Sequence, residues 1–289
     1  MHRNDRVFNI GLMLIISTLT LIVGGFALIS GAESGLHTFV SLRGESVSLY
    51  GKGIYALEAV DYANQAIAQD IVTLFLGIPM LVYGALSSSL RGRAVIVGGL
   101  AYFLYTYTSY CFLLQYNYMF LLYIALMSLS FFGLWHNLAQ LNAEKLKQVM
   151  APALSTKPYV IFQAILACML AGMWLMRIVP TFWGDFSKLQ LAHYNTAVIQ
   201  VMDLGFVVPL AGASSYNLWK QKPVGYLLTL ILMIKGAALG TALLAMIIMM
   251  IVKRGSVSYF ECTVFAVLIG SIDILAVRLF LKIPASKDI

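Results

Sequence analysis

Eight separate runs of apolar residues, each long enough to cross a bilayer, constrain this chain more than any other feature. They lie near 8–31, 68–89, 94–115, 118–138, 159–180, 196–217, 224–252 and 257–281, and a helix needs about 20 apolar residues to span the hydrocarbon core. Lipid offers backbone amides no outside partner, so the runs predict an all-α polytopic membrane protein with eight transmembrane helices. Composition agrees: 61% of residues are hydrophobic and 11% charged, which leaves too little polar surface to coat a soluble globule. The first run follows the basic MHRNDR and ends at Ser30, Gly31 and Ala32, in the manner of a secretory signal. It is longer than a signal core of about 7–15 residues and reads as the first span.

The basic residues orient the spans. Arg3, Arg6, Arg91, Arg93, Lys145, Lys147, Lys157, Lys220, Lys222, Lys282 and Lys287 fall on one side. Arg43, Lys52, Lys188, Lys253 and Arg254 fall on the other, diluted by Glu33, Glu45, Glu58, Asp61, Asp185 and Glu261. The positive-inside rule then places both termini in the cytoplasm. The net charge of +7 is spent in these short inter-span segments, not gathered into a patch, so nucleic acid is excluded as a partner. Membrane lipids are the expected surroundings.

Loop lengths recur. Each half reads as helix, long outer segment, helix, tight basic inner turn, helix, short outer turn, helix, and the halves divide into residues 1–150 and 151–289. The second helix of each half carries one proline, Pro79 and Pro209, and GALSSSLRGR at 84–93 echoes GASSYNLWKQK at 212–222, with the prolines two positions out of that register. A four-plus-four duplication with parallel halves is predicted. Both prolines are expected to bend their helices. Gly236 and Gly240 form a small-xxx-small step that lets the seventh helix approach a neighbour.

The long outer segment, 32–66, ends in GIYALEAVDYANQAIAQD, which contains no helix breaker after its first residue. It is expected to run helically into the second span, with Glu58, Asp61 and Asn64 on one solvated face. With Asp185 and Glu261 these acids could form a cation-concentrating vestibule.

A charge at the bilayer centre costs about 2.5–3.5 kcal/mol on insertion scales, so buried ionisable residues are the candidates for function. Four qualify: Asp70 near the outer boundary, Asp203, Lys235 near mid-depth, and Asp273 in the inner half. Lys235 needs a carboxylate partner or must lose its proton, and Asp203 is the expected partner, with Asp273 the other candidate. Gln69, Gln200 and Asn195 can line the same region. The third helix, GGLAYFLYTYTSYCFLLQY, adds hydroxyls on more than one face, Tyr105 among them. Arg177 and Arg278 lie close enough to helix ends to snorkel.

Enzymatic motifs are missing. There is no HExxH, Walker loop, GxGxxG before a strand, GxSxG or CxxCH, so no cofactor or metal is expected. His37 and His193 are read as surface histidines, and Cys111, Cys168 and Cys262 have no metal-ligand spacing, although Cys111 and Cys262 could meet near the outer ends of their helices. Segments such as QAIAQDIVTLFLGIPML, YFLYTYTSYCF and YNYMFLLYIALMSLSFFGL, together with DLGFVVPL, resemble parts of multi-pass bacterial inner-membrane proteins without an established activity. The resemblance, over about residues 50–135, implies a bacterial cytoplasmic membrane and supplies no site residue.

The expected function is binding or translocation of a small solute or ion at a polar site between the halves, formed by Asp203, Lys235, Asp70, Asp273, Gln200 and Tyr105. A non-transporting partner or assembly subunit, including a homo-oligomer, is the alternative, and a lipid-modifying membrane enzyme the third.

Overall fold

A computed structural model describes residues 3–30, 36–186, 188–189, 191–253 and 258–284. Among them, eight helices are long and apolar enough to cross a membrane: Asp5–Ile29, Val60–Leu86, Leu90–Leu113, Phe120–Ala139, Lys157–Trp183, Val198–Trp219, Pro223–Val252 and Cys262–Lys282. They coincide with the eight runs read from the sequence.

The elements in chain order are α1 (Arg3–Ile29), β1 (Leu36–Val40), β2 (Ser46–Tyr50), α2 (Val60–Val72), α3 (Ile78–Leu86), α4 (Leu90–Leu113), α5 (Phe120–Ala139), α6 (Ala143–Met150), α7 (Lys157–Ile178), α8 (Val198–Met202), α9 (Val208–Trp219), α10 (Pro223–Val252) and α11 (Tyr259–Lys282). Several starts are legible in local chemistry. Ser89 caps α4 by accepting from Gly92 N at 3.1 Å, and Asn142 caps α6 by accepting from Lys145 N at 3.1 Å, each satisfying an otherwise orphaned amide. Prolines open α7 and α10, where a missing N–H costs nothing.

The second and sixth spans are each interrupted by a five-residue π-helical turn, Thr73–Gly77 and Asp203–Val207. Ile78 N bonds Thr73 O and Val208 N bonds Asp203 O, five residues back, immediately before Pro79 and Pro209. A proline has no amide to donate and crowds the preceding turn, and one widened turn absorbs both effects without breaking the helix. The expected bends therefore take the form of π turns.

The outer segment departs from expectation. Residues 53–59, expected to be helical, form turns that follow an antiparallel hairpin, β1 on β2, with Leu36 opposite Tyr50, and the second span begins only at Val60. Glu58 lies before the helix and is buried, Asn64 is buried, and only Asp61 of the three reaches solvent. The solvated-face reading is thus corrected: Glu58 takes up buried partners, described below, which a position on the helix surface would forbid. Gly31, Glu33, Gly35, Arg254, Lys287 and the side chain of Glu261 lie outside the described residues.

Within each half the same helices meet. In the first, α4 packs on α3 and α5, and α1 on α3 and α5; in the second, α10 packs on α9 and α11, and α7 on α9 and α11. The halves join where α10 lies against α4 and α2. Gly98 makes that crossing possible: a Cβ there would fall 3.3 Å from Lys235 N and deep into Ile234. Gly240 and Gly236 turn instead towards α11, where a Cβ on Gly240 would lie 3.3 Å from Ile269. Arg91 ties the basic end together, donating to Ile283 O at 2.7 Å and Leu281 O at 3.1 Å beyond and within the end of α11, where the helix presents free carbonyls.

Polar side chains also join helices inside each half. Asn9 and Asn137 exchange two amide bonds, at 3.0 and 2.9 Å, between α1 and α5. Asn9→Leu is expected to destabilise the protein by about 1–2 kcal/mol, because it leaves the buried side-chain carbonyl of Asn137 without its donor. Thermal unfolding of the purified protein would register it, and the double change Asn9→Leu with Asn137→Leu should recover most of the loss. Equal losses in the single and double variants would show that the pair contributes only packing.

Candidate functional site

A cavity of about 520 Å³ opens between the halves, lined by α2, α4, α7, α8, α10, α11 and the 191–196 loop. Its walls are mainly aliphatic and aromatic, and its charged side chains are Arg177, Asp203 and Lys235. A volume of this size, apolar with a few convergent polar groups, is what small-molecule sites share. It runs from Lys235, in the middle of α10, towards Tyr62, Tyr194 and Thr196 at the hairpin end.

Asp203 is the first residue of the second π turn, and that turn aims its carboxylate at α4 and α7. Tyr105 donates to Oδ1 at 2.8 Å and Trp174 Nε1 to Oδ2 at 2.9 Å. Lys235 lines the same wall, 8% exposed, with Nζ 4.2 Å from the centroid of the Tyr105 ring. It makes no ion pair with Asp203 within 4.0 Å among the described residues. Asp203 and Lys235 therefore share a site without meeting: Tyr105 contacts both, its hydroxyl on the acid and its face towards the ammonium.

Of the six residues singled out in the sequence, Asp203, Lys235, Gln200 and Tyr105 line the cavity, and Asp70 and Asp273 do not. Asp70 is enclosed beside it, accepting from the hydroxyls of Tyr55 and Tyr110, the latter at 3.0 Å on Oδ1. Such a cage satisfies a carboxylate inside an apolar bundle without a cation. Asp273 is half-buried on α11, away from the cavity.

Gln69, expected in this region, does line the cavity, whereas Trp174 and Arg177 were not assigned to it from the sequence. Gln69 lies one residue before Asp70, and its amide donates to Tyr102 at 2.6 Å and Thr106 at 3.1 Å. Trp174 carried no signal, because an interfacial-looking tryptophan is ordinary in a span. Arg177, read as a snorkelling residue, sits at the hairpin end of the cavity with its guanidinium 5.5 Å from the Trp174 ring.

A second cluster closes the hairpin end. Glu58 is 1% exposed and accepts from Gln115 N at 2.5 Å on one oxygen, and from Tyr194 Oη at 2.6 Å on the other, with His193 Nε2 2.9 Å from that same oxygen. Arg43 reinforces the contact by donating to Ala192 O at 2.6 Å and Tyr194 O at 3.1 Å. Leu57 and Ala192, the residues preceding Glu58 and His193, have φ of 67° and 49°. Such angles cost a residue with a side chain free energy that the surrounding contacts must offset. Burial, and then the charge of Glu58, push the Tyr194 phenol up, so it stays a donor through the physiological range. His193, expected at the surface, is thus buried in a contact between the halves, while His37 is exposed on β1.

No group of three or more metal-ligating side chains occurs among the described residues, and Cys111, Cys168 and Cys262 are free. These features define a multi-pass membrane protein with eight candidate membrane-spanning helices, six of which line a partly enclosed cavity. Comparison with protein-family models, with curated proteins and with solved structures finds no match.

Proposed function

We propose that this protein binds or translocates a small solute or ion through the cavity between its halves. The observation that carries the reading is that Asp203 and Lys235 face one open volume without pairing with each other. Charges that only lock helices together gain most by direct contact in a closed space, since burial without a partner is expensive. Here space is kept open beside both.

On this proposal the protein resides in a bacterial cytoplasmic membrane, with both termini and the Arg91 end inside and the hairpin end outside, an orientation that the distribution of basic residues supports. On the same proposal the two halves are a parallel repeat. The shared packing pattern and the two π turns before Pro79 and Pro209 support this. Setting Pro79 on Pro209 pairs Thr73 with Asp203 and Gly84 with Ser214, and setting Gly92 on Gly225 pairs Ile96 with Thr229 and Tyr102 with Lys235. Contacts follow these pairings. Gly84 lies against Ile96 as Ser214 lies 3.1 Å from Thr229, and Thr73 meets Tyr102 at 2.9 Å where the second half sets Asp203 and Lys235. The register follows the prolines and not the GALSSS/GASSYN echo. On it, charge in the second half replaces a neutral hydrogen bond in the first, which fits a site specialised in one half.

The test is access. In a cysteine-free background, Gln200→Cys and Ser109→Cys are expected to react with membrane-impermeant thiosulfonates added from the hairpin side, with Thr196→Cys as the rim control. Leu239→Trp, which fills the cavity, should slow labelling of Gln200→Cys at least tenfold. If Thr196→Cys reacts while Gln200→Cys and Ser109→Cys stay inert from either side, the cavity is dry and the protein is better read as a structural subunit.

A further inference from the structure

The polar groups of the cavity are unequally satisfied, and the inequality specifies a ligand. Resting on the cavity reading above, we propose that the site takes an amphipathic monoanion, its head on Lys235 and its apolar body laid along α10 towards the hairpin end.

Asp203 has a donor on each oxygen, Tyr105 and Trp174, both neutral. It is held in place without a cation. Lys235 is the opposite case. An ammonium carries three donors, and no acceptor among the described residues lies within hydrogen-bonding distance of Nζ, which lies over the face of Tyr105. An aromatic face attracts a cation but accepts no conventional hydrogen bond, so the donors are left for something that enters the cavity. A cationic head would meet the ammonium and find the carboxylate already engaged. An anionic head completes Lys235 with charge-assisted hydrogen bonds, the strong kind. One ammonium with open donors matches a head of single negative charge better than a double one, because each further charge in an apolar enclosure is costly.

The rest of the lining prescribes the body. Leu239, Leu243 and Met246 follow Lys235 along one face of α10 and line the cavity, a stripe about 16 Å long at 1.5 Å per residue. Met169 and Met173 on α7 face the same volume, and thioether side chains adapt to apolar guests of varied shape. The site therefore selects head charge strictly and tail shape loosely.

The experiment uses the full chain in lipid nanodiscs with three radiolabelled probes of equal tail, decanoate, decanol and decyltrimethylammonium, scored as saturable binding above empty discs. Decanoate is expected to bind one per chain and most tightly. Lys235→Met should weaken it at least tenfold, Lys235→Arg should retain it within about threefold, and decanol should bind both forms alike. Leu239→Trp should remove decanoate and decanol together, with size-exclusion profiles confirming that each variant folds. Tighter binding of decyltrimethylammonium than of decanoate, or undiminished decanoate binding by Lys235→Met, overturns the monoanion assignment and leaves the cavity reading standing. Absence of saturable binding by all three probes overturns the assignment, and dry cysteines in the labelling experiment would sink the cavity reading by itself.

Discussion

Glu58→Ala is expected to lower the thermal midpoint of the purified protein by roughly 10 °C, from a loss of about 3–5 kcal/mol. The magnitude follows from what the substitution leaves behind. Glu58 gathers the amide of Gln115, the phenol of Tyr194 and the imidazole of His193 at a point almost sealed from solvent. Removing the carboxylate strands three polar groups at once, two of them from the other half of the chain. It also removes what offsets the left-handed backbone at Leu57 and Ala192. Glu58→Gln keeps an acceptor and the shape, and should lose less than half as much. Limited proteolysis locates the effect: in Glu58→Ala the hairpin segment around 36–59 should be cut well before the spans. A midpoint shift below about 2 °C, with the hairpin still protected, would mean that the cluster follows the packing of the halves and does not hold them.

Gly225→Val is expected to prevent accumulation of folded protein. A Cβ at Gly225 would fall 2.6 Å from Leu218 Cα, against backbone that cannot rotate aside. The turn between α9 and α10 is already tight, with Lys222 N bonded to Asn217 O at 2.9 Å and Gln221 at a φ of 53°. Overpacking against a side chain costs about 1–3 kcal/mol, and here the obstacle is a helix end that seats the arm carrying Lys235, so the cost should exceed about 4 kcal/mol. Gly212→Val provides the control on the same hairpin of helices, since nothing lies within 4 Å of a Cβ there. Yield of monodisperse protein on fluorescence-detected size exclusion separates the two. Comparable yields from both variants would contradict the close approach of α9 and α10.

The same two glycines show what a sequence carries. Gly212 stood out in the sequence because it echoes Gly84, yet a side chain there would meet nothing within 4 Å. Gly225 carried no signal, and it sits where two backbones cross. Similarity between segments reports common pattern, whereas the need for glycine depends on which neighbour arrives.

The spans themselves were legible because lipid imposes a demand on every segment independently: about 20 apolar residues whose amides pair within one helix. No partner has to be known to read it. The prolines were legible for a like reason, since the missing amide acts within its own helix, although the widened turns at Thr73–Gly77 and Asp203–Val207 are one of several ways to accommodate it. Charges inside the apolar runs were legible by their cost. Their partners were not. Asp203 was expected to meet Lys235, and it meets Tyr105 and Trp174; Asp70 was placed with the site, and two tyrosines enclose it.

The outer segment shows the limit most clearly. Local propensity allowed helix through Glu58, because its residues break no helix. The structure bends the chain there into a buried turn, since Glu58 finds more in His193, Tyr194 and Gln115 than a solvated helix face offers. Those partners lie far along the chain, and no period or spacing announces them. What the sequence determined by itself was each segment's relation to its solvent, a matter of single residues and their cost in lipid. Which side chains share a cavity, which carboxylate is satisfied and which ammonium is left open were decided by how the helices cross, because those energies belong to pairs of residues that only the packed bundle brings together.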